Sequence, residues 1–292
     1  MQEPPAGFRP RRRFGQNFLV DRGAIDRMLA AFRPDGDDLV LEIGPGRGAL
    51  TRRLIGRVAA LVAVEIDHDL AARLEGDLAR QAPPGTLTIV RADILEIDLP
   101  ALLSGLGARP ARPARVIANL PYNVATAVIL RLLRQAPLLR DLLVMVQREV
   151  ALRILSPPGR KTYGGLSVLC QAGARVESVL RLRPGSFRPR PKVESEVVRL
   201  TLRDRDGRAA AADRQDLERL LRVAFEQRRK TLLNNLARLP PFPGAPPSGP
   251  SLGPAAASDL IRGAGLDPKA RPETVPVEGF LALTESWRAG RA

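Results

Sequence analysis

Between residues 38 and 156 the chain alternates short, densely apolar runs with stretches whose apolar residues recur at helical spacing. "DLVLEIG" is followed by "GALTRRLIGRV", "ALVAVEID" by "HDLAARLEGDLARQ", and "ARVIAN" by "VATAVILRLLRQ". "LTIVRAD" and "DLLVMVQ" complete a set of five strand-like runs, and "REVALRILS" follows the fifth as a helix. Continuous Val, Ile and Leu runs are what strands buried on both faces require. Strand–helix alternation predicts an α/β domain built on a mostly parallel, doubly wound sheet. "ARVESVLRL" and "SEVVRLTLR" read as later, antiparallel strands. Asp21 is a candidate N-cap for an earlier helix, "DRGAIDRMLAAF".

Beyond this region the pattern changes. "DRQDLERLLRVAFEQRRKTLLNNLARL" is a helical run without strand signal, and shorter helical segments follow. The expected division is a basic arm at 1–13, an α/β domain at 14–203 and a small all-α domain at 204–292. A Pro/Gly-rich loop interrupts the last at 240–257.

Ligands of open α/β sheets bind beyond the carboxyl ends of the strands. "LEIGPGRGALT" puts Gly44 and Gly46 at the first such end, where glycine permits a tight turn and close approach of the backbone. Glu65 ends the second strand, where a carboxylate can accept both hydroxyls of a ribose. Asp93 ends the third and can accept from an adenine amino group, or serve as an ordinary turn residue. Glu42 can bond loop N–H groups or the methionine part of a cofactor; Asp67 reads as a helix cap.

Asn119, Leu120, Pro121 and Tyr122 end the fourth strand. Pro121 cannot donate to a sheet ladder, so the strand stops there. Adenine and ribose acceptors without a phosphate-binding loop suggest S-adenosylmethionine. An adenine N6 is a poor nucleophile. The Asn119 side-chain oxygen and the Leu120 carbonyl can accept its hydrogens, Pro121 can fix the turn, and Tyr122 can stack on the base.

Composition narrows the partner. Lys and Arg number 46 against 31 Asp and Glu, a net charge of +15, which attracts polyanions. Cys170 is the only cysteine and His68 the only histidine, so intramolecular disulfides are excluded, and Cys-cluster metal sites, His-based metal sites and a Ser-His triad are not expected. A reducing cytosol fits. No apolar run approaches the roughly 18 residues of a membrane span, and the N-terminus lacks the apolar core of a signal peptide.

Eight stretches together resemble the KsgA/RsmA family of small-subunit rRNA adenine N6,N6-dimethyltransferases. They are "RRRFGQNFL", "LEIGPGRGALT", "VEID", "NLPYN", "MVQREVALRI", "YGGLSVLCQ", "FRPRPKVESEVVRL" and "FEQRRKTLLNNL", in family order over about residues 11–236. The resemblance implies a Rossmann-like methyltransferase sheet. It implies that Asn17 and Leu19 line the cofactor pocket with Gly44, Glu65, Asp93 and Asn119, and that Phe187 reaches the target base opposite Tyr122. From the residues alone Phe187 reads equally well as a core anchor. The implied product is dimethyladenosine at two adjacent adenines of the 3′-terminal hairpin loop of small-subunit rRNA. A monomer would make it, on an immature 30S particle, late in assembly. Gly165 and Arg190 depart from the common pattern.

Candidate RNA contacts are Arg11, Arg12, Arg13, Arg190, Lys192, Arg228, Arg229 and Lys230. The competing readings are a solvated helix face for Arg228–Lys230 and a salt bridge to Glu194 for Lys192. Two alternatives remain: an erythromycin-resistance-type methyltransferase acting on large-subunit rRNA, and a non-catalytic assembly or transcription factor.

Overall fold

The computed structural model describes residues 16–78, 80–203, 211–243 and 250–290, with backbone alone for 211–213. The arm Arg11–Arg13 lies outside the described residues, as does part of the Pro/Gly-rich loop.

Two compact units emerge. The first contains the described residues to Ala151 and from Glu177 through Arg203. The second contains Leu152–Val176 and the described residues from Ala211 onward.

In chain order the first unit begins with β1 (Phe18–Leu19), α1 (Arg22–Phe32), β2 (Leu39–Ile43) and α2 (Thr51–Leu54). Then come β3 (Ala60–Glu65), α3 (His68–Leu78), β4 (Leu87–Arg91), α4 (Leu99–Gly105), β5 (Ala114–Asn119) and α5 (Ala125–Leu133). β6 (Leu139–Gln147) leads into α6 (Arg148–Leu155) and α7 (Gly165–Gly173). The sheet is completed by β7 (Ala174–Leu182) and β9 (Ser195–Leu202), with the short β8 (Phe187–Arg188) between them.

The seven-stranded sheet runs β4-β3-β2-β5-β6-β9-β7. β4, β3, β2, β5 and β6 are parallel, and β9 is antiparallel to β6, as the apolar runs predicted. Order reverses between β2 and β5, so the ends of these two strands open a crevice. β1 and β8 pair outside this sheet, Leu19 opposite Phe187. Asp21 caps α1 by accepting the Ala24 N–H at 3.0 Å.

The opposite edge of the sheet is pinned by buried charge. Arg115, at the start of β5, donates two bonds to Asp141 at 2.7 and 2.8 Å and one to Asp38 at 2.8 Å. It also donates to the Phe32 and Arg33 carbonyls and stacks over the Phe32 ring. Burial disfavours the guanidinium charge, but Asp141 and Asp38 outweigh it and hold the pKa above the ordinary value. Removing one partner of such a group costs about 3–5 kcal/mol.

The second unit departs from the expected boundary at 203. Residues 152–176 pack with the helices α8 (Ala211–Ala224), α9 (Leu232–Leu236), α10 (Gly253–Gly263) and α11 (Val277–Ala289). The reason is apolar: Tyr163 and Val168 are fully buried in one cluster with Leu217, Leu220, Leu236 and Phe280. The Tyr163 hydroxyl donates to the Val275 carbonyl at 2.9 Å. The single helical run expected at 213–239 is broken at 225–230. There Asn235, fully buried, accepts the Gln227 N–H and donates to the Gln227 carbonyl, and Thr231 caps α9.

Candidate active site

β2, β3 and β5 deliver their terminal residues to one open cleft of about 480 Å³. Gly44 and Gly46 from the β2 turn, Glu65 from β3, and Asn119 through Tyr122 from β5 all line it, with Asn17. A second lobe, about 360 Å³, shares Gly44, Gly46 and Asn119 and adds Leu19, Glu42 and Arg47. Phe18 borders both.

The glycines are required by conformation and by space. Gly44 and Gly46 take φ values of 68° and 58°. A Cβ on Gly44 would meet the Asn119 carbonyl at 3.3 Å, and one on Gly46 the Phe18 ring at 3.0 Å. The turn therefore lies against both neighbouring walls of the crevice.

Glu65 is 5% exposed. Its two oxygens accept the Gly46 and Asp67 N–H groups, each at 3.0 Å. Burial raises its pKa, and those two bonds work against the rise. Asp67 caps α3, as expected, by accepting the Asp69 and Leu70 N–H groups. It also accepts from the Gln16 side chain at 3.0 Å, tying the segment before β1 to the cleft wall.

Glu42 is 1% exposed, and burial pushes its carboxyl up to about 8. Thr51 counteracts this and Glu65 adds to it. Neither Glu42 Oε2 nor Thr51 Oγ1 has a hydrogen-bond partner among the described residues. An acceptor is thus buried in the wall of the second lobe without a donor.

In the Asn-Leu-Pro-Tyr loop, Asn119 Nδ2 donates to the Asn17 carbonyl at 3.1 Å. That bond uses the amide's donor end and leaves Oδ1 as the end available to a ligand. The Leu120 N–H donates to the Met145 carbonyl at 3.1 Å. The Pro121 carbonyl accepts from Val124 and Ala125, whereas no backbone N–H among the described residues is paired to the Leu120 carbonyl. Tyr122 is half-buried, and its hydroxyl lies 2.8 Å from Ser195 Oγ.

Three expected site residues stand apart. Asp93 is half-buried at the end of β4 and does not line the cleft; its Oδ1 takes the Leu95 N–H at 2.8 Å. Phe187 is 1% exposed, inside a core cluster with Leu19, Met145 and Val197. Pairing of β8 with β1 turns that ring inward, so it offers no face to a base opposite Tyr122. Arg228 donates to the Lys161 and Tyr163 carbonyls and so sits in the frame of the second unit rather than on a free helix face. Arg228, Arg229 and Lys230 are all exposed, as are Arg190 and Lys192. Glu194 pairs with Arg148 at 2.8 Å rather than with Lys192.

Sequence reasoning did not single out Gln16, Phe18, Arg47 or Ser195. The first two lie inside the quoted "RRRFGQNFL", so position beside Asn17 was the available signal. Among the described residues, no cluster of His, Cys, Asp and Glu is arranged to hold a metal, and no helix is long and apolar enough to cross a membrane.

Known proteins resemble this chain in sequence and fold. The family model for ribosomal RNA adenine dimethylase matches residues 7–242. The "Ribosomal RNA small subunit methyltransferase A" of Nitrosococcus oceani is 42% identical over 96% of this chain and 97% of its own length. The protein of that name from Saccharophagus degradans is 44% identical over 81% of this chain and 85% of its own length. Among solved structures, a dimethyladenosine transferase from Plasmodium falciparum shares the fold with a TM-score of 0.74 at 23% identity, covering 91% of this chain and 95% of that one. The 23S rRNA methyltransferase ErmE aligns with a TM-score of 0.63 at 26% identity, covering 93% and 99%. A glycine turn, a buried strand-end acid and an Asn-Leu-Pro-Tyr loop meet in one crevice, and the match over most of its length shows that the chain belongs to the ribosomal RNA adenine dimethylase family, whose methyl donor is S-adenosylmethionine.

Proposed function

We propose that the chain dimethylates N6 of two adjacent adenines in the 3′-terminal hairpin loop of small-subunit rRNA. It would act as a cytoplasmic monomer on an immature 30S particle. The substrate assignment rests on relatives named for the small subunit that align with nearly the whole chain.

The residues present fit the donor. Glu65 lies at ribose level, with both oxygens already oriented by backbone N–H groups. The unpaired Glu42 Oε2 in the second lobe suits the ammonium of a methionine moiety. The glycine turn leaves room where a Cβ would stand. Asn17 and Leu19 border the two lobes. When bound, S-adenosylmethionine supplies an electrophilic methyl group.

The chain's own task is to position the amine. Asn119 Oδ1 and the Leu120 carbonyl accept the two N6 hydrogens, which favours the pyramidal nitrogen that attack requires. Tyr122 stacks on the base, a contact worth about 1–3 kcal/mol. Orientation of this kind takes the place of an activating base: with the methyl–sulphur bond of a bound donor broken, the methyl–nitrogen bond formed and the neutral thioether released, the cationic N6 would shed one proton to water for each methyl gained. Arg190, Lys192, Arg229 and Lys230 are exposed cations suited to phosphate contact.

The observation that carries the reading is the convergence of Glu65, Gly46 and Asn119 on one cleft. It is tested by labelled methyl transfer to unmethylated small subunits, with the product mapped by primer extension. Stops at two adjacent adenines are expected. Because the chain also aligns with ErmE, both rRNAs are mapped. Modification of large-subunit rRNA alone would overturn the substrate, and no transfer to either would overturn the activity. Asn119→Ala is expected to lower turnover at least 100-fold while subunit binding stays within a few-fold.

A further inference from the structure

We infer that Ser195 is a positioning residue for methyl transfer, holding the Tyr122 ring at the angle from which it meets the base. The role rests on the proposed adenine chemistry and deepens it.

Ser195 opens β9, is fully buried and stands opposite Gln147, the last residue of β6. Its backbone is held on the sheet ladder. The residue before it is clamped twice by Arg148: the Arg148 N–H donates to the Glu194 carbonyl at 3.0 Å, and the Arg148 guanidinium to the Glu194 carboxylate at 2.8 Å. Ser195 Oγ is therefore a fixed point on the most regular part of the fold. Tyr122 is the opposite case, half-buried in a loop beyond the end of β5. A tyrosine ring held only at Cβ can swing through a wide arc. The 2.8 Å contact between the hydroxyls restrains its far end. Ser195 lines neither lobe of the cleft, so it reaches substrate only through Tyr122.

The function of such a tether is to make stacking productive. A base can stack on a swinging ring with its amine turned away from the Asn119 and Leu120 acceptors. Binding would survive, since polyanion affinity comes chiefly from phosphate contacts, but turnover would fall. The signature is a drop in kcat without a matching change in KM.

The test compares the parent chain, Ser195→Ala, Tyr122→Phe and the double variant on unmethylated small subunits. Each single substitution removes one hydroxyl and keeps the ring. Each should lower kcat by about 3- to 10-fold, the range for loss of one ordinary hydrogen bond. The double variant should be no slower than either single one. KM for subunits and Kd for S-adenosylmethionine should stay within about 2-fold, which general destabilisation would not respect. Tyr122 and Tyr163 are the only tyrosines. In ring-labelled protein Ser195→Ala should shift and broaden the Tyr122 signals while those of the buried Tyr163 stay in place.

Parental kcat in Ser195→Ala, additive losses in the double variant, or unmoved Tyr122 signals would overturn the inference. Should Ser195→Ala not fold, Tyr122→Phe carries the test, and parental kcat there overturns it. Absence of transfer by the parent chain would remove the proposed function and this role with it, whereas normal parental transfer with an indifferent Ser195→Ala removes the role alone.

Discussion

Glu65 Oε2 accepts the Gly46 N–H at 3.0 Å, so the acid that ends β3 holds the turn that follows β2. One side chain therefore shapes the glycine loop and, under the proposed function, would also receive a ribose. Two substitutions separate the tasks. Glu65→Gln keeps an oxygen for Gly46 but loses the charge, and should weaken donor binding roughly 10-fold. Glu65→Ala also frees the loop, and should cost a further drop in affinity together with thermal stability. Calorimetric titration of the donor and melting curves measure the two effects. Equal affinities in both variants would show that the loop bond contributes nothing to binding.

The Glu42 carboxyl gives a pH signature. Burial lifts it from 4.5 to about 8, opposed by Thr51 and reinforced by Glu65. Between those values the folded chain retains a proton that the unfolded chain has released. Stability from this group is thus complete below 4.5 and is lost as pH rises toward 8. Glu42→Gln has no such proton. Without donor, the variant should melt progressively higher than the parent as pH rises from 5 to 8, by an amount on the order of a few kcal/mol at most. Groups that do not couple to Glu42 cancel in the difference, whereas Glu65, whose charge raises the Glu42 pKa, contributes to the gap. A gap independent of pH would sink the assignment.

Gly46 and Gly56 provide a matched pair. Both hold positive φ, at 58° and 73°. A Cβ on Gly46 meets the Phe18 ring at 3.0 Å, whereas one on Gly56 meets nothing within 4 Å. Each change to Ala should cost about 1–2 kcal/mol of backbone strain. Only Gly46→Ala also pushes on Phe18, which borders both lobes of the cleft. Its donor Kd should rise about 10-fold or more, with that of Gly56→Ala unchanged. The same loss of affinity in both variants would place the effect in stability rather than in the cleft.

What could be read from the chain follows the physics of each signal. β2, β3, β5 and β6 are nearly continuous apolar runs because helices or other packing cover both faces, and such runs are visible without a structure. Glu65 and Asn119 were legible because they end those strands. β1 and β8 are two residues each, too short to show a period, so nothing in the sequence paired Leu19 with Phe187; of the two readings open for Phe187, core anchor and base contact, its burial matches the first. α7 escaped because its segment opens with two glycines and is apolar over most of its length. The break at 225–230 carries no Pro or Gly; it is held by Asn235, whose side chain bonds the Gln227 backbone from a distance no local pattern encodes. Ser195 gave no signal at all, since one serine at a strand start has many uses.

The basic triplet in the break between α8 and α9 divides into two kinds of residue. Arg228 donates to the Lys161 and Tyr163 carbonyls at 2.9 and 2.6 Å, bonds that join two segments of the second unit. All three side chains are exposed, so what sets Arg228 apart is its pair of backbone bonds. Arg228→Ala should therefore lower thermal stability by about 1 kcal/mol, the value for a charge-assisted bond discounted for exposure, with a small change in salt dependence. Arg229→Ala with Lys230→Ala should leave the melt within about 0.5 kcal/mol and reduce the slope of log affinity against log salt by about 1 to 2. Filter binding of small-subunit rRNA across a salt series, beside melting curves, separates these outcomes. A salt slope unchanged by the double substitution would exclude Arg229 and Lys230 from the RNA contact and leave Arg190, Lys192 and the exposed Arg228 as the remaining described candidates.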